Sequence, residues 1–363
     1  MTENGSVVDA RVAGRDILIV GGAGFVGSNL SHMLLDRGVE RVTIVDNLLS
    51  SDPSNLPNDP RVRFIYGSIT DPRTLEQLAP RYEYVFHLAC YHGNQSSIAD
   101  PMADHANNLL PSLILFDYLA RNVDVEKVVY AAAGCAVAEK VYGEATATRE
   151  DAPVSMFHDS PYSISKIVGE LYGNYFWQRS GLPFVKARFQ NVYGPREILG
   201  AGRWRGTPAT IWRNVVPTFI WRALHDMPLR LDGDGQTSRD FIFVEDLCEG
   251  LIACAALGKP GEAYNLSTGT ETSIADLAET VIRQSGSSAG VERAARRSWD
   301  ESGNRFGDPT QSREELGFVA AVGLEDGIRE TLEWTRAHGD LIAHCIDSHG
   351  PLLATLGPSP VER

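Results

Sequence analysis

A chain of 363 residues, 43% hydrophobic and 22% charged, has the statistics of a globular protein with one large core or two unequal ones, and not those of a disordered one. Its formal net charge of −14 excludes a general nucleic-acid binder, because neutralising phosphates takes a basic surface. Five cysteines, Cys90, Cys135, Cys248, Cys254 and Cys345, form no CxxC pair, so neither a disulfide framework nor a metal site is expected and a reducing cytoplasm fits best.

In chain order, the first fifteen residues, MTENGSVVDARVAGR, lack the apolar stretch of a leader. Nowhere do about eighteen apolar residues run together, so neither export nor membrane association is expected. Residues 16–20, DILIV, read as a strand, GGAGFVG as a turn, and SNLSHMLLDRG as a helix with apolar positions at helical spacing. Further strands are expected at RVTIVD (41–46), RVRFIYG (61–67), YEYVFHLA (82–89) and EKVVYAAA (126–133), with helices over PRTLEQLAP and ADHANNLLPSLILFDYLARN. Strands alternating with helices imply right-handed crossovers and a parallel sheet covered on both faces. The fold class is therefore α/β: a Rossmann-type doubly wound parallel sheet over residues 1–190. Beyond it the pattern loosens through GPREILGAGRWRGTP, a helix-like VVPTFIWRALHD and the turn signal DGDGQ, so a smaller α/β substrate-binding region over 191–340 is expected. The tail, 341–363, with Gly350, Pro351, Gly357, Pro358 and Pro360, is expected to pack little and to be disordered in part.

Two constellations carry chemistry. Gly21, Gly24 and Gly27 follow a strand and open a helix, where glycines allow a tight turn, close backbone approach to a pyrophosphate and close helix–strand packing. Asp46 ends the second strand about twenty residues on, where a carboxylate accepts ribose hydroxyls and repels a 2′-phosphate, so NAD is favoured over NADP. Tyr162 and Lys166 in SPYSISK stand four apart, on one face of a helix. There an ammonium lowers the cost of a phenolate, and a phenolate takes a proton from a hydroxyl as hydride leaves the same carbon.

With these residues in place, the sequence resembles the extended short-chain dehydrogenase/reductase family, in its NAD-dependent nucleotide-sugar epimerase/dehydratase branch. The likeness runs over about residues 15–335, through GGAGFVG, TIVDNL, VFHLA, the helix around Asn108, YSISK, RFQNVYGP, DGDGQTSRDFIFVEDL, YNLSTG and RFGDPTQSREELGF. The resemblance implies that NAD contacts fall on Gly21, Gly24, Phe25, Val26, Gly27, Asp46, Asn47, Ser68, Ile69, Leu88, Ala89, Asn108, Ala131, Tyr162 and Lys166. It places the diphosphate of a UDP-, dTDP- or GDP-linked sugar on Asn191, Arg239 and Arg305, with Ala133 and Gly134 at the sugar; guanidinium forks suit phosphate oxygens. It also implies a homodimer through helices around 103–120 and 161–178.

The sequence departs from that family at the loop after the fifth strand. A Ser or Thr is expected beside the catalytic tyrosine, and the slot holds Ala133, or Ala138 if VYG at 141–143 sets the alignment. Losing one such hydrogen bond raises a barrier by a few kcal/mol. Cys135 stands where dehydratases often place Glu and GDP-mannose 3,5-epimerases an acid/base cysteine, so it joins Tyr162 and Lys166 as a catalytic candidate, with a buried packing role as the other reading. Glu139 is a second acid/base candidate. The loop REILGAGRWRG holds no lysine, which argues against double epimerisation. His87, His92 and His105 are not expected to hold a metal, since His87 stands in VFHLA, a family segment whose histidine is structural or cofactor-adjacent, and Trp204, Trp212 and Trp221 are read as base-stacking or packing residues. The activity implied is net epimerisation through a transient 4-keto sugar, with a dehydratase or decarboxylase next and a weakened NAD or sugar-nucleotide sensor third.

Overall fold

The computed structural model describes residues 3–138, 141–297 and 303–355. Six apolar segments alternate with helices and form strands β1 (Asp16–Val20), β2 (Arg41–Asp46), β3 (Val62–Tyr66), β4 (Arg81–His87), β5 (Asp124–Ala133) and β6 (Phe184–Phe189). After the short strands β7 (Asn191–Tyr193), β8 (Leu229–Asp232), β9 (Ser238–Arg239) and β10 (Phe241–Phe243), strand β11 (Ala263–Leu266) returns to pair with β6. The result is one seven-stranded sheet in the order β11-β6-β5-β4-β1-β2-β3, parallel throughout. The order reverses between β1 and β4, and the crevice at such a switch point is where doubly wound sheets bind ligands.

Both faces are covered, which is why the strands read as continuous apolar runs. Helices Phe25–Asp36 and Val244–Leu257 bury Leu30, Leu34, Leu247 and Leu251 against one face. Helices Leu110–Asn122 and Pro161–Ser180 bury Leu115, Phe116 and Phe176 against the other. Helices Val215–Leu224, Ile274–Ser285 and Leu324–Ala337 gather a further core with β8, β10 and Tyr193 of β7. Two more short strands, β12 (Thr272–Ser273) and β13 (Val291–Ala294), pair with β9 and β8. Among the described residues no helix is long and apolar enough to cross a membrane.

Several expectations change. The boundary at 190 is not a clean cut, because β11 and the helix Val244–Leu257 rejoin the main sheet. Of PRTLEQLAP only Pro72–Leu75 is helical, and the helix over 103–122 is broken by a π-helical turn, His105–Leu109. The tail reading is corrected over 341–355: helix Gly339–Asp347 buries Ile342 and Cys345 beside Ile198, Leu199, Ile211 and Trp221, and a last helix spans Gly350–Thr355. The apolar stripe Leu341, Ile342, Cys345 and Ile346 outweighs the Gly and Pro around it. Residues 356–363 lie outside the described residues. The polar N-terminus also forms a helix, Glu3–Val12, with Val8 and Val12 in the core and Arg11 donating to the Ala256 carbonyl at 2.7 Å.

Candidate active site

A cavity of about 1040 Å³ opens along the carboxyl ends of the strands, between the sheet and the region after β7. Small-ligand sites reach up to about 1,000 Å³, so this one has room for a dinucleotide's reactive end and a second molecule.

Its floor is the turn after β1. Gly21 has φ +90°, and a Cβ there would overlap the Ala89 backbone; a Cβ on Gly27 would overlap Gly21 and Gly22. The helix Phe25–Asp36 therefore starts close against the sheet, with its N-terminus facing the cavity, and a pyrophosphate fits there. Asp46 accepts from Ala23 N at 3.0 Å, Leu48 N at 2.8 Å and Ser51 Oγ at 3.0 Å. Burial pushes its carboxyl above the usual value, and these hydrogen bonds work in the other direction. They fix the carboxylate at the rim, where the hydroxyls of a ribose would meet it.

Tyr162 and Lys166 stand one helical turn apart on Pro161–Ser180, whose start is set by Ser160, which accepts from Ser163 N, and whose end is set by Gly181 at φ +70°. The bidentate pair Arg188–Glu170, both buried, ties this helix to β6 at 2.8 and 3.0 Å. Lys166 Nζ donates to the Ala131 carbonyl at 2.7 Å and lies 5.8 Å from the centre of the Tyr162 ring. Burial, with Cys90 and Cys135 nearby, pushes the Tyr162 phenol well above its ordinary range; burial pushes the Lys166 ammonium down. A further positive charge in the cavity would favour the phenolate, which is the state that accepts a proton.

The cavity brings together nearly all the residues singled out from sequence: Gly21, Gly24, Phe25, Val26, Gly27, Asp46, Asn47, Ser68, Ile69, Leu88, Ala89, Ala131, Ala133, Cys135, Tyr162, Lys166, Asn191, Arg239 and Arg305 line it. Two do not. The Asn108 side chain is spent on the protein, accepting from Tyr91 N at 2.6 Å and donating to Tyr91 O at 3.2 Å and Asp104 Oδ1 at 2.7 Å, and Asn107 lines the cavity instead. Gly134 lies beneath the lining against Gln190. Glu139 falls outside the described residues. Ala133 places a methyl group in the lining, while Ala138 is not part of it. Arg239 is buried, donating to Ser238 O and Gly303 O at 2.6 Å each, and Arg305 Nε is buried without a partner.

His87 is a core residue bonded to Ser112 Oγ at 2.9 Å and held neutral by burial, its pKa pushed down to about 3. His105 is exposed on the π-helical turn. Of the tryptophans, Trp212 lines the cavity, whereas Trp204 and Trp221 pack against His349 and His225. The segment 195–213 crosses the cavity's cofactor side: Pro195 O and Arg196 O accept from Asn29 and Asn55, and Arg203 N donates to Leu49 O at 2.9 Å. From it and from the loop after β4 come three lining residues that the motifs did not single out as ligand-binding: His92, Glu197 and Arg213. Only the density of arginines in RWRGTPATIWRN hinted at them.

Comparison with known proteins places these features in a family. The model of the family described as "NAD dependent epimerase/dehydratase family" matches residues 17–267. The crystal structure of the enzyme WbmF from Bordetella bronchiseptica, in complex with NAD+ and UDP, is similar with a TM-score of 0.86 and 52% identity over 96% of this chain and 99% of that one. UDP-glucose 4-epimerase from Mycolicibacterium smegmatis is 32% identical, covering 88% of this chain and 98% of the relative. dTDP-glucose 4,6-dehydratase from Actinoplanes sp. is 30% identical, covering 89% and 98%.

Proposed function

Since the chain belongs to the NAD-dependent epimerase/dehydratase family, we propose that it is a nucleotide-diphosphate-sugar epimerase that works through a transient 4-keto sugar. The observation that carries this reading is the presence, in one cavity, of the glycine turn with Asp46, the pair Tyr162–Lys166, and the cationic end at Arg239 and Arg305. NAD fits the first of these: the turn leaves room for a pyrophosphate and Asp46 for an unphosphorylated ribose. When bound, NAD supplies a hydride acceptor that can also give the hydride back.

The chain's residues supply the rest. Tyr162 takes the proton of the sugar hydroxyl, and Lys166, held by the Ala131 carbonyl, keeps a positive charge beside the phenol. Asn191, Arg239 and Arg305 hold the diphosphate, leaving the sugar free to turn over so that the hydrogen returns to its other face. Ala133 offers no hydrogen bond to the reacting hydroxyl. Inversion is favoured over dehydration because Gly134 and Cys135, rather than an acidic pair, follow Ala133.

Free cysteines suit a reducing cytoplasm. A homodimer is supported by exposed apolar residues on the helix Pro161–Ser180, Leu171 at 60% and Tyr175 at 55% exposure. Incubation with UDP-, dTDP- and GDP-sugars in deuterated water, read by proton NMR and mass spectrometry, tests the activity. An isomer of unchanged mass without deuterium is expected. A product lighter by water or carbon dioxide would assign a dehydratase or decarboxylase, and unaltered sugars would favour the sensor.

A further inference from the structure

Near Tyr162 the cavity carries a charge imbalance that the proposed reaction does not use. Arg205, 6% exposed, is bonded only to neutral groups, Ser50 Oγ at 2.9 Å and the carbonyls of His92, Ala209 and Thr210 at 3.4–3.5 Å, and lies over the Tyr91 ring. Arg213, facing the cavity, reaches only the Ser50 carbonyl, at 3.4 Å from each of two nitrogens. Among the described residues neither guanidinium has a carboxylate within 4.0 Å. Glu197, 4% exposed, also lines the cavity; its Oε1 accepts from Asn214 and its Oε2 is buried without a partner. His92 lines it too, with Nδ1 buried and unpartnered and its ring edge-on to Tyr162 at 6.2 Å between centres. Buried polar groups without partners are costly, so two of them, Glu197 Oε2 and His92 Nδ1, opening on one cavity beside Arg213 mark a place for a ligand's polar group.

Accepting the sugar-nucleotide reading above, we infer that Arg213, Glu197 and His92 form a subsite for a carboxylate on the sugar, so that the substrate class is a nucleoside-diphosphate hexuronate. The sign follows from the cations: Arg213 lines the cavity with Glu197 as the carboxylate near it, Arg205, outside the lining, lies close enough to Arg213 to add positive potential, and a planar carboxylate matches the Arg213 fork. Glu197 in its acid form donates from Oε2, and the neutral His92 ring offers a second donor. The place follows from His92, whose contact with Tyr162 sets the subsite beside the reacting carbon and on a different part of the cavity lining from Arg239 and Arg305.

The test is calorimetric titration of the NAD-loaded protein with UDP-glucuronate, UDP-glucose and UDP, for the wild type and for Arg213→Gln and Glu197→Gln. UDP-glucuronate is expected to bind at least tenfold more tightly than UDP-glucose. Arg213→Gln should remove that preference and leave the UDP affinity and NAD content unchanged, while Glu197→Gln, which keeps a donor, should retain it. Equal or absent binding of the two sugars in the wild type would overturn the subsite. So would a loss of UDP affinity or of NAD in Arg213→Gln, which would assign the arginine to the diphosphate or to the cofactor. A binding preference without isomerisation would leave the subsite standing and remove the epimerase reading; efficient isomerisation of UDP-glucose with no preference would do the reverse.

Discussion

Tyr162 reaches the cavity from a helix otherwise buried through Ser163, Lys166 and Glu170, so removing its hydroxyl leaves the packing intact. Tyr162→Phe is expected to lower turnover by about 10²–10⁴-fold, the worth of a general acid–base group, with NAD content unchanged. A sensor would keep its ligand response in the same variant, which a binding titration would reveal. Glu197 makes a second test at this scale, with Asn214 and Arg213 facing it. Burial raises its carboxyl from 4.5 to about 7. Because the folded protein favours the protonated acid, the stability linked to this group is complete below pH 4.5 and is lost as pH rises through about 7. The difference is about 3 kcal/mol by linkage. Glu197→Gln should therefore flatten the dependence of Tm on pH between 4.5 and 8 and raise Tm at the alkaline end. An unchanged Tm profile would show that Glu197 is not held in its acid form.

At the scale of elements, strands β1, β2, β4 and β5 were legible because strands buried on both faces are written as short runs of Val, Ile, Leu and aromatics between turn residues, whereas β3, an edge strand with Phe64 and Tyr66 exposed, was legible from its β-forming residues alone. The π-helical turn at His105–Leu109 was not, since nothing in the spacing of HANNL distinguishes i→i+5 from i→i+4 bonding. Asn108 shows a related limit: an amide that suits a cofactor suits two backbone groups of Tyr91 equally well, and only the folded chain decides between them. Glu197, His92 and Arg213 were beyond reach for a different reason, since their meeting depends on where the segment 195–213 crosses the loop after β2. The helix Pro161–Ser180 presents Ile164, Leu171 and Tyr175, spaced seven and four apart, as one outward stripe, with exposures of 48%, 60% and 55%. If that stripe is the proposed dimer contact, the double substitution Leu171→Glu and Tyr175→Glu should yield a monomer by light scattering with its circular dichroism retained. A dimer surviving the change would place the contact elsewhere.

For the whole molecule, the path of the chain through the sheet matters more than a division into regions. Only Phe184–Phe189 and what precedes it belong to the part before residue 190, yet β6 is an interior strand because Ala263–Leu266 lies beside it. Val185 and Ala187 of β6 share one core with Leu247, Leu251 and Ile252 of the helix Val244–Leu257. A fragment ending at residue 190 is therefore expected to be insoluble or unfolded, with no cooperative transition on heating, because it bares an unpaired strand edge and an uncovered face. A soluble, cooperatively melting fragment would contradict this.

The same threading sets a schedule at the ribosome. The first strand to emerge is the interior β1, but the sheet cannot finish until residue 266 has left the exit tunnel, after much of the small region has already appeared. During that interval the nascent chain carries an open β6, and synthesis at about 5–20 residues per second makes it last several seconds. Chaperone occupancy on the growing chain should rise once β6 emerges and fall when β11 follows.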